Sequence, residues 1–128
     1  MTDLIVQQVR VLLDRGVTQI DQLEVLLAMT RSPDRTCTAR SVADDALLSD
    51  DRAEDSLAEL ERIGLIRCTF AGSDAPLYSP SPDLDLAGLQ ALRLLRNIDR
   101  ARIANAFFSC TIAALRDFAS KFKRGRSG

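Results

Sequence analysis

The residue types that carry most enzyme chemistry are scarce in this chain. It has no histidine, so it lacks the usual proton carrier at neutral pH, the commonest metal ligand and every histidine-based catalytic triad. Cys37, Cys68 and Cys110 are far apart and form no C-x-x-C pair, which favours reduced thiols over a disulfide framework or zinc site. The neighbouring carboxylates Asp44-Asp45 and Asp50-Asp51 would point about 100° apart on a helix. The sequence therefore predicts a protein that is not an enzyme and that binds no metal or other cofactor.

Length and composition indicate a globular protein. The chain has 128 residues, 46% of them apolar and 27% charged, which suits one compact domain with an extension. No uncharged apolar run approaches the ~20 residues of a membrane span. The N-terminus lacks the basic segment and apolar run of a secretion signal. We therefore expect a cytoplasmic protein with no membrane partner.

Charge is distributed unevenly along the chain, although the formal total is only −1. Residues 47–64 carry a net charge of −4, and residues 110–128 carry a net charge of +4. Opposite charges of this size attract each other, either within one chain or between two copies.

Apolar spacing and capping residues divide the chain into three predicted parts. Residues 1–16 form an N-terminal helix closed by Gly16. Residues 17–80 form three helices, begun by Thr18, Thr38 and Ser49, and a β-hairpin. Residues 81–128 form a helical extension with a basic tail.

The helix that begins at Ser49 and the strands after it have the clearest pattern. Four residues of this helix repeat at steps of four, three and four, as one buried stripe requires: Ala53, Leu57, Leu60 and Gly64. Gly64 ends the helix. The next segment alternates so that one strand face carries Ile66, Cys68 and Phe70. After a turn, Leu77–Ser79 is the predicted return strand.

The C-terminal part is predicted to hold a long helix over 82–108 that begins near Ser81, and a second helix with Ile112 and Leu115 on its apolar side. The apolar arc of the long helix covers roughly 180°, against the ~100° of an ordinary surface helix, which predicts a second packing partner. Its polar edge consists of Arg93, Arg96, Asn97 and Arg100. We therefore expect a homodimer through this helix, with contacts from Leu92, Leu95, Ile98 and Arg102.

Several predicted features follow one another in a fixed order before the hairpin. They are the helix Thr38–Ala46, the turn Leu48-Ser49 and the run Leu60–Ile66 (Leu-x-Arg-Ile-Gly-Leu-Ile). In this order they resemble the winged-helix domain of small bacterial transcription regulators of the MarR-like kind. The resemblance covers residues 20–79. It implies a mainly α fold, a winged helix-turn-helix with a three-helix core and two-stranded β-wing, flanked by an N-terminal helix and a C-terminal extension. It also implies a DNA-binding homodimer that places the helix at 49–63 in the major groove and the wing against phosphates.

The charges on that helix point to a different partner. Its outward side is predicted to carry Asp51, Asp55, Glu59 and Arg62. DNA affinity comes largely from lysine and arginine that neutralise phosphates, whereas these carboxylates repel them. The interpretation favoured here is a transcription-associated module whose acidic helix docks a protein. Carboxylates in a first helical turn also complement the helix dipole on any solvated surface.

Two alternatives remain open. A DNA-binding dimer would use the wing and the basic residues Arg40, Arg52, Arg67, Lys121, Lys123 and Arg124, although the wing tip itself has no lysine or arginine. A scaffold or assembly subunit would use the long helix to complete a partner's bundle. No residue pattern specifies a small-molecule effector.

Overall fold

A computed structural model describes the backbone of residues 4–31, 36–70, 72 and 74–126, and the side chains of these residues except 4, 114 and 117–126. Within these ranges the chain forms six helices and one antiparallel pair of strands. The helices and strands, in chain order, are α1 Leu4–Asp14, α2 Ile20–Met29, α3 Ala39–Ala46, α4 Asp50–Arg62, β1 Ile66–Thr69, β2 Leu77–Pro80, α5 Leu86–Ile98 and α6 Arg100–Arg126. None of the described helices combines the length and low polarity needed to cross a membrane.

Helix α2 lies at the centre of the core. Every residue from Gln22 to Met29 is buried, because α3, α4, α5 and β2 all pack against this helix. A helix covered on several sides is apolar around most of its circumference, and α2 fits this rule except at Gln22 and Glu24. Gln22 closes a capping box with Gln19, so the N-cap residue of α2 is Gln19 and not the predicted Thr18.

The helix-turn-helix of α3 and α4 is confirmed, and its two caps are those predicted. Thr38 Oγ1 accepts a hydrogen bond from Ser41 N at 3.1 Å, and Ser49 Oγ accepts one from Arg52 N at 3.3 Å. Helix α3 ends at Leu47, whose φ of 59° is left-handed, and this reversal turns the chain into α4. In the predicted inner stripe of α4, Ala53, Leu57 and Leu60 are fully buried. Gly64 is exposed instead, because α4 ends at Arg62.

The hairpin is also confirmed. Gly64 adopts a φ of +82°, which glycine tolerates without a steric penalty, and turns the chain from α4 into β1. Strands β1 and β2 pair from Ile66 with Pro80 to Thr69 with Leu77. Cys37 forms a further antiparallel bridge with Tyr78. Tyr78 therefore pairs with Cys68 of β1 on one side and with Cys37 on the other. Phe70 was predicted to share a strand face with Ile66 and Cys68. That prediction is wrong, because strand pairing ends at Thr69 and the ring of Phe70 is exposed.

The prediction of one long helix over 82–108 is wrong. Asp99 interrupts it with a φ of −147° and a ψ of 85°. Its N–H donates to Leu95 O at 2.8 Å, which ends α5, and its Oδ1 accepts from Arg102 N at 3.2 Å, which begins α6. Aspartate favours this capping geometry because its carboxylate accepts an N–H that the helix leaves unpaired. At the other end, α5 begins at Asp85, and not near Ser81 as predicted, because Asp85 Oδ1 accepts from Gly88 N at 3.0 Å.

The break at Asp99 lets the two terminal helices pack against the rest of the chain. Helix α6 packs on α1 and α5, and α5 also packs on α2. The terminal helices bury Leu89, Leu92, Ile103 and Phe107 in the same core as α2. The three-part division at 16/17 and 80/81 stays a prediction.

Candidate interaction surfaces

Helix α4 presents a charged outer side. Its buried stripe faces the core, so the opposite side lies at the surface. Six acidic and two basic residues give this 13-residue helix a net charge of −4. Asp51, Asp55 and Arg62 are exposed and Glu59 is half-buried, so the four residues predicted to form a protein-docking surface lie on the outer side of one helix.

Both arginines of α4 are paired with carboxylates. Arg52 Nε and Nη2 donate to the two carboxylate oxygens of Asp21 on α2, at 2.9 and 2.7 Å. Arg62 Nε donates to Glu59 Oε2 at 2.9 Å, and a second bond joins its Nη2 to Glu59 Oε1. The hydrogen bond from Arg62 lowers the pKa of Glu59, which keeps this carboxylate ionised at neutral pH. Neither arginine presents an uncompensated positive charge.

A polar groove of about 450 Å³ runs beside this surface, between the start of α2 and α4. Its ionised lining residues are Asp21, Arg52, Asp55 and Glu59. Asp21 and Glu59 are each paired with an arginine, so the groove keeps the negative charge of Asp55, which suits a lysine or arginine side chain of a partner.

The described basic residues of the DNA-binding alternative lie on three different elements: Arg40 on α3, Arg52 on α4 and Arg67 on β1. Arg40 on α3 is exposed beside a second groove, which Asp50 and Glu54 of α4 also line. Arg67 is exposed on β1. Between Arg67 and Arg93 the sequence has no lysine or arginine, so the hairpin tip carries no basic residue. The side chains of Lys121, Lys123 and Arg124 lie outside the described residues.

The predicted dimer contacts divide between core and surface. Leu92 is fully buried within the chain, which corrects its assignment to a dimer surface, because it belongs to the chain's own hydrophobic core. Leu95 is half-buried against the same core. Ile98 is 83% exposed, and Arg102 is exposed as well. The exposed large apolar residues of the terminal helices are Leu94, Ile98, Phe108, Ile112 and Leu115.

Sequence reasoning missed a buried group of charges. Arg96, predicted to lie on a solvated polar edge, is only 4% exposed. Its Nη1 donates to Glu24 Oε2 of α2 at 3.0 Å, and its Nη2 donates to Asp45 Oδ2 of α3 at 3.4 Å. The one signal in the sequence was an isolated acid, Glu24, inside an otherwise apolar helical run. Nothing in the sequence matched that acid to an arginine 72 residues away.

The described residues contain no group of three or more cysteine, aspartate or glutamate side chains placed to hold a metal ion. Cys37, Cys68 and Cys110 are free thiols. Desolvation raises the pKa of Cys37 and of Cys68, which keeps both thiols protonated and poorly nucleophilic.

The order of helices and strands has a counterpart among solved structures. The chain is similar to a crystal structure of a MarR family transcription regulator, with 20% sequence identity and a TM-score of 0.52 over 93% of this chain and 81% of that one. The chain has a MarR-like winged-helix fold. In this winged helix, α4 is the second helix of the helix-turn-helix and the β1–β2 hairpin is the wing. No protein-family profile matches the sequence, and no curated protein does either.

Proposed function

We propose that this winged-helix protein is a non-enzymatic, transcription-associated module that acts as a homodimer and docks a protein partner on α4. The observation that carries the proposal is the charge of α4: this helix holds six carboxylates and two arginines, and both arginines are already paired. A cytoplasmic location belongs to the same proposal.

The charge of α4 opposes insertion into a DNA groove. A carboxylate 4 Å from a phosphate adds repulsion of about 1 kcal/mol in bulk water, and more where solvent is excluded. Asp51 and Asp55 on each of two copies would therefore offset several kcal/mol of binding energy. The same charges favour a basic protein surface, whose lysine or arginine side chains fit the acidic groove between α2 and α4.

A DNA-binding transcription regulator is the second candidate. It is supported by the name of the structural neighbour, a MarR family transcription regulator, and by the exposed side chains of Arg40 and Arg67. Under this candidate these arginines grip phosphates, and base reading by α4 is weak. Affinity would then fall steeply with salt.

Titration of a labelled random-sequence duplex at 50 and 200 mM salt separates the two candidates. The docking proposal expects no binding at either salt concentration. It also expects the variant Asp51→Asn/Asp55→Asn to gain DNA affinity, because two phosphate-repelling charges per copy are removed. Micromolar binding by the unmodified protein that is lost in Arg40→Gln/Arg67→Gln would instead establish the DNA candidate.

The protein partner is tested by charge reversal. Cross-linking in cells, followed by isolation of the winged helix, yields candidate partners. Asp51→Lys/Asp55→Lys is expected to lose the specific partner. Asp44→Lys is the matched control, since it reverses an exposed acid on α3 instead of α4. Equal recovery of each cross-linked protein with the double variant and the control would contradict docking on α4.

The homodimer is proposed through the exposed apolar residues of α5 and α6. Contiguous exposed apolar surface marks interaction sites in most proteins. Light scattering at tens of micromolar is expected to give twice the chain mass, and Ile98→Glu or Ile112→Glu to give a monomer. Phe70→Glu is the control, because Phe70 is exposed beyond the end of β1. A monomeric mass for the unmodified protein would reject the dimer.

A further inference from the structure

Four arginines and two carboxylates meet between α2, α3 and the junction of α5 with α6. Glu24 Oε2 lies 3.0 Å from Arg96 Nη1 and 3.5 Å from Arg100 Nη2. The carboxylate of Asp45 lies 3.4 Å from Arg96, 3.6 Å from Arg31 and 3.7 Å from Arg93. These six side chains sum to a charge of +2, so the carboxylates present neutralise only half of the guanidinium charge.

Two of these guanidiniums have an unused donor. Arg93 Nε and Arg96 Nε are both buried and have no hydrogen-bond partner among the described residues. The side chain of Arg96 is 3% exposed. A buried donor left unpaired destabilises a fold by about 1–3 kcal/mol, and buried polar groups nearly always find an acceptor. The cluster is therefore short of both negative charge and hydrogen-bond acceptors.

The cluster borders a cavity of about 640 Å³ that opens to solvent. One side of the cavity is formed by Arg93 and Arg96 of α5 and by Arg100 at the start of α6. The end of α3 contributes Asp45 and Leu47, and the remaining lining residues are Asn97 and Ile98. Three guanidiniums face one carboxylate, and Asp45 is already shared by three arginines. The cavity is thus a concave, positively charged site with room for several atoms.

We propose that this cavity binds a small oxyanion such as phosphate or a carboxylate. The planar guanidinium fork matches the spacing of oxyanion oxygens and forms charge-assisted hydrogen bonds with them. A bound oxyanion accepts hydrogen bonds from the lining guanidinium groups and reduces their mutual repulsion. It also ties α5 to the end of α3, directly before the turn into α4. The proposal is independent of the macromolecule that α4 binds.

Thermal unfolding with inorganic phosphate tests the site, with sodium chloride at matched ionic strength as the reference. At a phosphate concentration ten times Kd, the ratio of folded to unfolded protein rises about elevenfold. For a domain of this size that ratio corresponds to an increase in Tm of about 4 °C or more. Isothermal titration calorimetry gives Kd directly.

Two arginine variants locate the binding. Arg100→Gln removes a lining guanidinium that is 44% exposed, so the fold tolerates the change, and phosphate affinity is expected to fall about tenfold. Arg31→Gln is the matched control. Arg31 is also an arginine paired with Asp45 and is 68% exposed, but it lines a different cavity, and affinity is expected to change less than twofold.

Three outcomes would overturn the proposal. One is a Tm increase that sodium chloride reproduces in full, since this would reflect ionic screening. Another is an equal loss of phosphate affinity in Arg31→Gln and Arg100→Gln. The third concerns the source of the oxyanion. If a short duplex stabilised the protein in an Arg100-dependent way and free phosphate did not, the cavity would serve a nucleic-acid backbone and not a small ion.

Discussion

Replacing Arg96 with methionine is expected to destabilise this protein more than any other change at a charged residue. Arg96 is buried and hydrogen-bonds Glu24 and Asp45, so it joins α5 to α2 and α3 at once. Methionine fills a similar volume and keeps the apolar contacts of the arginine stem. The variant therefore isolates the loss of the guanidinium.

The magnitude follows from the carboxylates that remain. Removing one partner of a buried ion pair typically destabilises a protein by about 3–5 kcal/mol, because the other charge stays buried and uncompensated. Glu24 retains Arg100 at 3.5 Å, and Asp45 retains Arg31 and Arg93 at 3.6 and 3.7 Å. These longer contacts compensate part of the loss, so we expect about 3 kcal/mol. Arg100→Met is the control, and less than about 1 kcal/mol is expected there because Arg100 is exposed.

Urea unfolding measures this difference. With a slope of about 2 kcal/mol per molar urea, the midpoint for Arg96→Met should fall by about 1.5 M. Adding Glu24→Gln to Arg96→Met should recover part of the stability, because the stranded charge is then removed. The reasoning is refuted if Arg96→Met is no less stable than Arg100→Met, or if Glu24→Gln worsens Arg96→Met as much as it worsens the unmodified protein.

Three further predictions concern the caps and turns that shape the fold. Leu47→Gly should raise the free energy of unfolding by about 0.5–1 kcal/mol in urea titrations, since Leu47 is exposed at a φ of 59° that L-residues adopt at a penalty; the half-buried neighbour Leu48→Gly should lower it. Ser49→Ala should lower the free energy of unfolding by about 1 kcal/mol through loss of the α4 cap, and Ser49→Asp should not. Hydrogen bonds from Gly88 N and the Gln8 amide lower the pKa of Asp85, so its stabilising contribution is present above the usual aspartate pKa near 3.9 and is lost as the pH falls through the folded value. The unfolding midpoint of Asp85→Asn, which keeps the cap, should therefore vary less between about pH 5 and 3, and an equal slope would contradict the shift.

Local patterns along the chain are enough to predict several helices and strands of this protein. Thr38 and Ser49 predicted two helix starts because a hydroxyl there accepts an N–H within its own turn. The spacing of Leu57 and Leu60 predicted the buried side of α4, and hence the acidic side that faces solvent. These features depend on residues within a few positions of one another, so the chain order alone contains them.

Which of the predicted surface residues face solvent depends on how the helices pack against one another. Leu92 and Ile98 belong to the same predicted apolar arc, yet Leu92 is buried in the core and Ile98 is exposed. Arg96 was predicted to be solvated, but it is buried against Glu24 and Asp45, which lie 72 and 51 positions away in the chain. Periodicity records which side of a helix is apolar or charged, whereas burial depends on what packs over that side. Here the packing follows from the break at Asp99, which returns α6 to the core.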